Sequence, residues 1–398
     1  MFKHLKAVSG DPLLALIVAH KQDTNPKKID LGVGVYKDDN GATPILNSVK
    51  KAEAILLEQE DSKSYLGIYG AEEFEAIIQN LILGENSPLI ASERIRSTQT
   101  PGGTGALKVA ADFISANLKD ARLWVSDPTW GNHQSIFNSA GVEVKSYPYY
   151  DPKTNGLRFD DMMATLKAEA KEGDVLLVHA CCHNPTGIDL QPEHWEILTD
   201  FVNERGLLPL VDAAYQGFGD GLDDDLAGLR HMAANVKNML IANSFSKNFG
   251  IYRERCGGLS ILAENKDEAN AAFSIVGQAI RANYSMPPAH GAAVVYTIMS
   301  SPELKAEWEQ EVTAMRNRIN GLREKLVAKL AASGVSKDFS FIKDQRGMFS
   351  YSGLTLEQVR TLRNDYSIYI ADSGRMSISG VSDDNIDYLC ESIAKVVG

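Results

Sequence analysis

Five apolar stretches decide the fold: LWVSDP (123–128), DVLLVHACC (174–182), LLPLVD (207–212), MLIANSF (239–245) and GGLSILA (257–263). The first is followed by a helical pattern, WGNHQSIFNSAG, and the second by another, PEHWEILTDFVNERG; a looser segment follows the third. Strands that are apolar throughout, alternating with helices, argue a mainly parallel sheet covered on both faces. Working outward, the pattern changes after Pro302. Leu304, Trp308, Val312, Met315, Ile319, Leu322, Leu326 and Leu330 recur at three and four, which predicts one long amphipathic helix connecting two units. Beyond it the sequence predicts a strand around 347–351 and a helix opened by Thr355, with Gln358 at capping-box spacing. Strands around 366–371 and 375–379 follow, then a last helix from Ser382. This is a small α+β unit, and the first forty residues, lacking a core of their own, are expected to pack on it.

Length and composition bound the function. At 398 residues the chain has room for two to three domains and a large core without staples. A net charge of −12 disfavours nucleic acid and anionic membranes, though it leaves room for a local basic pocket. Four cysteines, two of them adjacent (Cys181, Cys182), make no disulfide framework and point to a reducing, cytoplasmic setting. The apolar run Leu13–Ala19 is too short to span a membrane. No low-complexity stretch, repeat or spare basic domain is present.

Several chemistries are disfavoured by their missing motifs. There is no Walker-type phosphate loop, no G-x-S-x-G and no H-E-x-x-H, and neither Gly32-Val-Gly34 nor Gly103-Thr-Gly105 has the third glycine of a dinucleotide fingerprint. His179, Cys181 and His183, alternating on one strand, would share a face, but a fourth metal ligand is not evident. Pro101-Gly-Gly-Thr-Gly105 follows a strand-like RSTQT and opens a helix, which suits either an anion site or a tight turn. In SFSKNFGIYRER (244–255), Lys247 lies past a buried strand, at the carboxyl end where open α/β sheets bind ligands. With Ser244 and Arg255 beside it, it suits a Schiff base next to a phosphate, or equally a solvated loop lysine. Asp212 and His183-Asn184 leave their strands the same way; the one could hold a pyridinium nitrogen or cap a turn, and the other could be a plain Asn-Pro turn. Three neighbouring strands thus end in side chains suited to one aromatic phosphate cofactor, and the joint occurrence favours that reading.

These residues carry a resemblance. SFSKNFGIYRER, DAAYQGF, CCHNPTG, TPGGTGAL, SDPTWGNH, IRANYSMPPAHG and SGRMSISG resemble, from end to end of the chain, class I pyridoxal-phosphate aminotransferases of the aspartate and aromatic (tyrosine) subgroup. The resemblance implies an α/β chain of fold type I. Residues 45–314 would form a large cofactor-binding domain with a mostly parallel seven-stranded sheet. Residues 1–44 and 315–398 would form a smaller, mobile α+β domain with an N-terminal arm. It implies that Lys247 carries pyridoxal 5'-phosphate and moves the proton at substrate Cα, and that Asp212 pairs with the pyridinium nitrogen. Trp130 would stack on the ring, and Asn184 and Tyr215 would hydrogen-bond its phenolate oxygen. Gly103, Thr104, Ser244 and Arg255, with Tyr65 from a second subunit, would hold the phosphate. Arg375 would take the substrate α-carboxylate and Arg281, from the neighbour, the distal carboxylate of a dicarboxylic acid. Val33-Gly34 would close over substrate, and the active unit would be a homodimer.

Substrate choice is read at the pocket edge. Val35, Lys37, Thr43 and Thr104 look like the aspartate type, whereas Ser64 and Met286 depart from it. DQRGMFSY (344–351) and NGLRF (155–159) resemble aromatic members. The expectation is an aminotransferase for aromatic amino acids that also handles aspartate, with 2-oxoglutarate as acceptor in a ping-pong cycle; the alternative is a strict aspartate aminotransferase. A β-lyase or α-decarboxylase on this fold would have little use for Arg281.

Overall fold

The computed structural model describes residues 2–6 and 12–398. The five apolar stretches and two flanking ones build one seven-stranded sheet. In chain order its strands are β1 (Ile95–Pro101), β2 (Arg122–Asp127), β3 (Glu143–Pro148), β4 (Val175–His179), β5 (Leu208–Ala213), β6 (Met239–Ser244) and β7 (Cys256–Leu262). Their spatial order is β1-β7-β6-β5-β4-β2-β3. Only β7 runs against its neighbours, pairing antiparallel with both β1 and β6. The other contacts, β6 to β5, β5 to β4, β4 to β2 and β2 to β3, are parallel.

Alternate residues of each strand enter two separate cores. Leu123, Val125, Leu177, Leu210, Leu240 and Leu259 face a core shared with the helices Gly102–Asn117 and Lys266–Asn283. Trp124, Leu176, Val178, Val211 and Ile241 face the other, larger core. Burial on both faces is why these strands read as continuous apolar runs rather than alternating ones.

The predicted connector is a single helix, Pro302–Ala332, and all eight residues of its apolar stripe are buried. Trp308 on it stacks on Phe249 at 4.4 Å and donates to the Asn248 carbonyl at 2.8 Å, so the helix braces the loop after β6. Further along, the buried Arg323 donates to the Gly347 carbonyl at 2.6 Å. The small unit follows. Phe349–Tyr351 pairs antiparallel with Arg375–Ser377, and helix Leu356–Tyr366 has the predicted Thr355/Gln358 capping box. Ile29–Asp30 pairs parallel with Ile368–Tyr369, so the N-terminal segment does pack on this unit.

Two expectations are corrected. The last helix begins at Ile386 rather than Ser382, because the Asn385 side chain accepts from the Ser382 amide at 2.9 Å and a turn intervenes. Strand β4 ends at His179, and Cys182 takes a left-handed φ of 51°, so the 179/181/183 alternation breaks. Cys181 instead points to Cys182 and Asp225, while the rings of His179 and His183 meet at 4.4 Å.

Candidate active site

The carboxyl ends of β4, β5 and β6 open into a cavity of about 350 Å³. Helix Gly102–Asn117 points its first turn into it, and among the described residues no side chain caps that turn. The free N–H groups there make an anion site with the positive end of the helix dipole behind them. Glycine is required by close approach. A Cβ on Gly102, at φ 71°, would lie 2.5 Å from an Arg255 guanidinium nitrogen, and one on Gly257 would lie 2.8 Å from the Gly103 amide nitrogen. Arg255 is itself left-handed, and its guanidinium donates to the Tyr252 carbonyl at 2.7 Å and the Ser246 hydroxyl at 3.3 Å. Ser244 stands at the end of β6 beside Gly103, and Thr104 lines the same wall.

Deeper in, Asp212 is buried at the end of β5, with Oδ2 3.1 Å from His133 Nε2. Burial alone would raise its carboxyl, but the His133 hydrogen bond and the charges around it, Lys247 included, hold it below the usual range. Asp212 therefore stays ionised. The other ring nitrogen of His133 is 2.8 Å from the Thr129 hydroxyl, which fixes the imidazole plane. Lys247 follows β6, its ammonium nitrogen 4.8 Å from the centre of the Tyr215 ring. Burial pushes the amine below the usual lysine range, Asp212 opposing and Arg255 reinforcing. A lowered amine pKa leaves more of the neutral, nucleophilic form. Tyr215 is buried and its phenol is pushed up, again by burial first.

On the opposite side lies Arg375, buried, donating to the Gly32 carbonyl at 2.8 Å and to Asn184 Oδ1 at 3.3 Å. The Asn184 amide in turn reaches the Tyr215 hydroxyl at 3.5 Å. The Phe349 ring lies 4.1 Å beneath the guanidinium. It also crowds Gly34, where a Cβ would come within 2.5 Å of the ring. Leu13, Leu14 and Ile17 of helix Pro12–Gln22 and Val33 complete an apolar wall.

Of the residues singled out in the sequence, Lys247, Asp212, Tyr215, Asn184, Trp130, Gly103, Thr104, Ser244, Arg255, Gly34 and Arg375 all line this cavity. Tyr65 and Arg281 do not. Tyr65 is 94% exposed, and Arg281, also exposed, hydrogen-bonds Ser285 on its own chain. Sequence reasoning gave no role to His133, Tyr252 or Phe349. His133 could have been found: it lies three residues past Trp130, in the same motif.

Residues 26–393 match the family model for aminotransferase class I and II. The chain belongs to this aminotransferase family. The aminotransferase is 52% identical to the aspartate aminotransferase of Escherichia coli strain K12 over 397 residues, covering all of both chains. It superposes with a TM-score of 0.98 on an aromatic-amino-acid aminotransferase from Burkholderia pseudomallei covalently bound to pyridoxal phosphate, 45% identical over the whole of both chains. A psychrophilic aromatic amino acid aminotransferase from Psychrobacter, co-crystallised with aspartic acid, gives 0.97 at 40% identity, covering all of this aminotransferase and 99% of that chain.

Proposed function

We propose that this transaminase uses pyridoxal 5'-phosphate to move the amino group of aromatic amino acids, and of aspartate, to 2-oxoglutarate by a ping-pong mechanism. The cavity's donor set fits the cofactor: an uncapped helix start beside Arg255 for a phosphate, an ionised Asp212 for a pyridinium N–H, and a desolvated Lys247 for an imine. When bound, the cofactor supplies the electron sink for deprotonation at substrate Cα. Asp212 would keep the ring nitrogen protonated, with His133 holding the carboxylate in place. Trp130 would cover one ring face, and Asn184 and Tyr215 would hold the ring oxygen. Lys247, with its amine pKa lowered, would serve as the base that takes the proton from substrate Cα. Arg375 grips the α-carboxylate as a planar fork, which a lysine ammonium reproduces poorly.

The observation that carries the dual specificity is the pairing of the Arg375 guanidinium with an apolar wall of Leu13, Leu14, Ile17 and Val33. One carboxylate is fixed by charge, and the remaining surface suits an aromatic ring. A relative of the aromatic type co-crystallised with aspartic acid supports the same reading. The partner subunit of a homodimer supplies Tyr65 to the phosphate and Arg281 to a distal carboxylate. Exposed Tyr65, Leu57 and Ile45 give the apolar surface such a partner covers. Residues 1–44 and 315–398 move as one unit, and Val33-Gly34 closes on the substrate and excludes water. Four unpaired, buried cysteines fit a cytoplasmic setting, and among the described residues no helix is long and apolar enough to cross a membrane.

The test is Arg281→Leu in single-turnover half-reactions with the amino acid alone. Losing one partner of a desolvated charge pair costs about 2–5 kcal/mol. For aspartate, kcat/KM should therefore fall roughly thirty- to several-thousand-fold. For phenylalanine it should stay level or rise. An equal fall for both substrates refutes the dual reading, and a wild type inert toward phenylalanine leaves the strict aspartate enzyme.

A further inference from the structure

The segment after β4 carries Asn184 into the cavity, and its shape must be held from outside the sheet. The chain leaves the sheet at His179, passes through Cys182 at a left-handed φ of 51°, and presents two consecutive amides to the same side. Both point at one carboxylate. Asp189 Oδ2 accepts from the Cys182 amide at 2.7 Å and Oδ1 from the His183 amide at 2.8 Å. Asparagine could not replace it, because its NH₂ would face one of the two N–H groups.

We propose that Asp189 is a positioning residue whose carboxylate, by clamping the Cys182 and His183 amides, holds Asn184 between Tyr215 and Arg375 and so sets the site for the substrate α-carboxylate. The inference rests on the reading of Arg375 given above. The geometry is closed from the far side as well. The Gly187 amide donates back to the His183 carbonyl at 2.7 Å, and the Gly187 carbonyl accepts from the Arg346 amide at 2.6 Å. A Cβ on Gly187 would lie 2.6 Å from the Phe349 carbonyl, so the segment is seated against the strand whose ring lies under Arg375. Asn184 sits between these two anchors, and an error in the Asp189 clamp passes directly to its side chain. The carboxylate is held where ionisation is unfavourable. Burial, with the nearby Asp225 adding, pushes it up to about 6, against the pull of the two amides and of Arg346.

The test compares wild type, Asp189→Asn and Arg375→Lys, each loaded with pyridoxal phosphate. The probe is 3-phenylpropionate, which carries a carboxylate and a ring but no amino group and cannot react. Calorimetry reads its dissociation constant, amide hydrogen exchange reads the peptide spanning 180–190, and half-reaction kinetics separate kcat from KM. Asp189→Asn should weaken 3-phenylpropionate about ten- to hundredfold. It should raise KM by a similar factor with kcat changing less, and speed exchange at Cys182 and His183. Cofactor retention, set mainly at the phosphate end and by Lys247, should change less than probe affinity. Should Asp189→Asn not fold, Asp189→Ser keeps one acceptor and is read the same way. Unchanged probe affinity, or a loss of cofactor and kcat without a change in probe affinity, overturns the proposal. If Arg375→Lys leaves probe affinity intact, the α-carboxylate site itself is misassigned, and the role given to Asp189 falls with it.

Discussion

Gly257→Ala tests whether the phosphate cradle depends on backbone touching backbone. Gly257 lies in β7 where the first turn of helix Gly102–Asn117 crosses the sheet. An added Cβ would stand 2.5 Å from the Gly102 carbonyl carbon, 2.7 Å from the Asn243 carbonyl oxygen and 2.8 Å from the Gly103 nitrogen. Ordinary contact begins near 3.4 Å, so the shortfall is roughly 0.6–0.9 Å. All three atoms are backbone, and no rotamer change relieves them. The helix start must move away from the sheet by a distance comparable to that shortfall. Overpacking of this kind costs about 1–3 kcal/mol of stability. It also swings the Gly103 amide out of line with the phosphate, and a hydrogen bond to a charged group is worth about 1.5–3 kcal/mol. Cofactor affinity should therefore fall roughly ten- to hundredfold. Gly103→Ala is the control, since its nearest neighbour is the Ser244 Cβ at 3.3 Å, a contact that needs only a small adjustment. The assay is fluorescence titration of cofactor-free protein with pyridoxal phosphate, alongside its thermal midpoint. Wild-type affinity in Gly257→Ala would refute the argument, as would an equal loss in both variants.

Borohydride reduction of the loaded enzyme followed by peptide mapping should place a pyridoxyl adduct on Lys247; active, reduced protein with Lys247 unmodified would remove it from the chemistry. Arg375→Lys keeps the charge but loses the fork, so kcat/KM for aspartate and phenylalanine should fall together by about tenfold or more; a selective loss for one substrate would contradict its role. Acid should destabilise the fold through His179, whose imidazole burial pushes down to about 4. The unfolded chain takes that proton near 6.5 and the folded chain does not, so stability drops as pH falls from about 6.5 toward 4, by about 1.4 kcal/mol per unit. The raised Asp189 carboxyl works in the opposite direction, so the readout is a difference: urea midpoints of wild type and His179→Asn should converge or cross between pH 7.5 and 5. Parallel profiles would show that the His179 imidazole takes its proton as readily in the folded chain as in the unfolded one.

What the sequence reveals and conceals follows from the range of each interaction. Lys247, Asp212 and Asn184 were legible because each leaves an unmistakably apolar strand, and position at a strand end is a local property. The long helix was legible because its stripe repeats over 31 residues. The direction of β7 was not, since an apolar run carries no sign of strand polarity; the clue was the 11-residue link from Ser244 to Cys256, short for a parallel crossover. Phe349 and the wall from helix Pro12–Gln22 were also illegible. They belong to the site only through contacts more than a hundred residues away in sequence, as when Phe349 meets Gly34. His133 is legible only as part of the SDPTWGNH motif, since its contact with Asp212 spans 79 residues.

The reversed strand β7 has a consequence for how the site comes together. Because β6 runs out and β7 runs straight back, Ser244 and Gly257 are paired neighbours, and the loop between them begins and ends at the cavity. Lys247 near one end and Arg255 at the other are therefore tied by a short closed loop, whose entropy of closure is small. The distance between the Lys247 and Arg255 ends of the cavity is therefore set within this one hairpin-like link. Arg375 belongs to the other unit and reaches the cavity through contacts with Gly32 and Asn184. On the proposed reading, the cofactor would be measured by a fixed caliper and the substrate by an adjustable one. Changes in the length of the 245–255 loop should abolish cofactor binding outright, whereas changes around residues 345–375 should tune substrate choice.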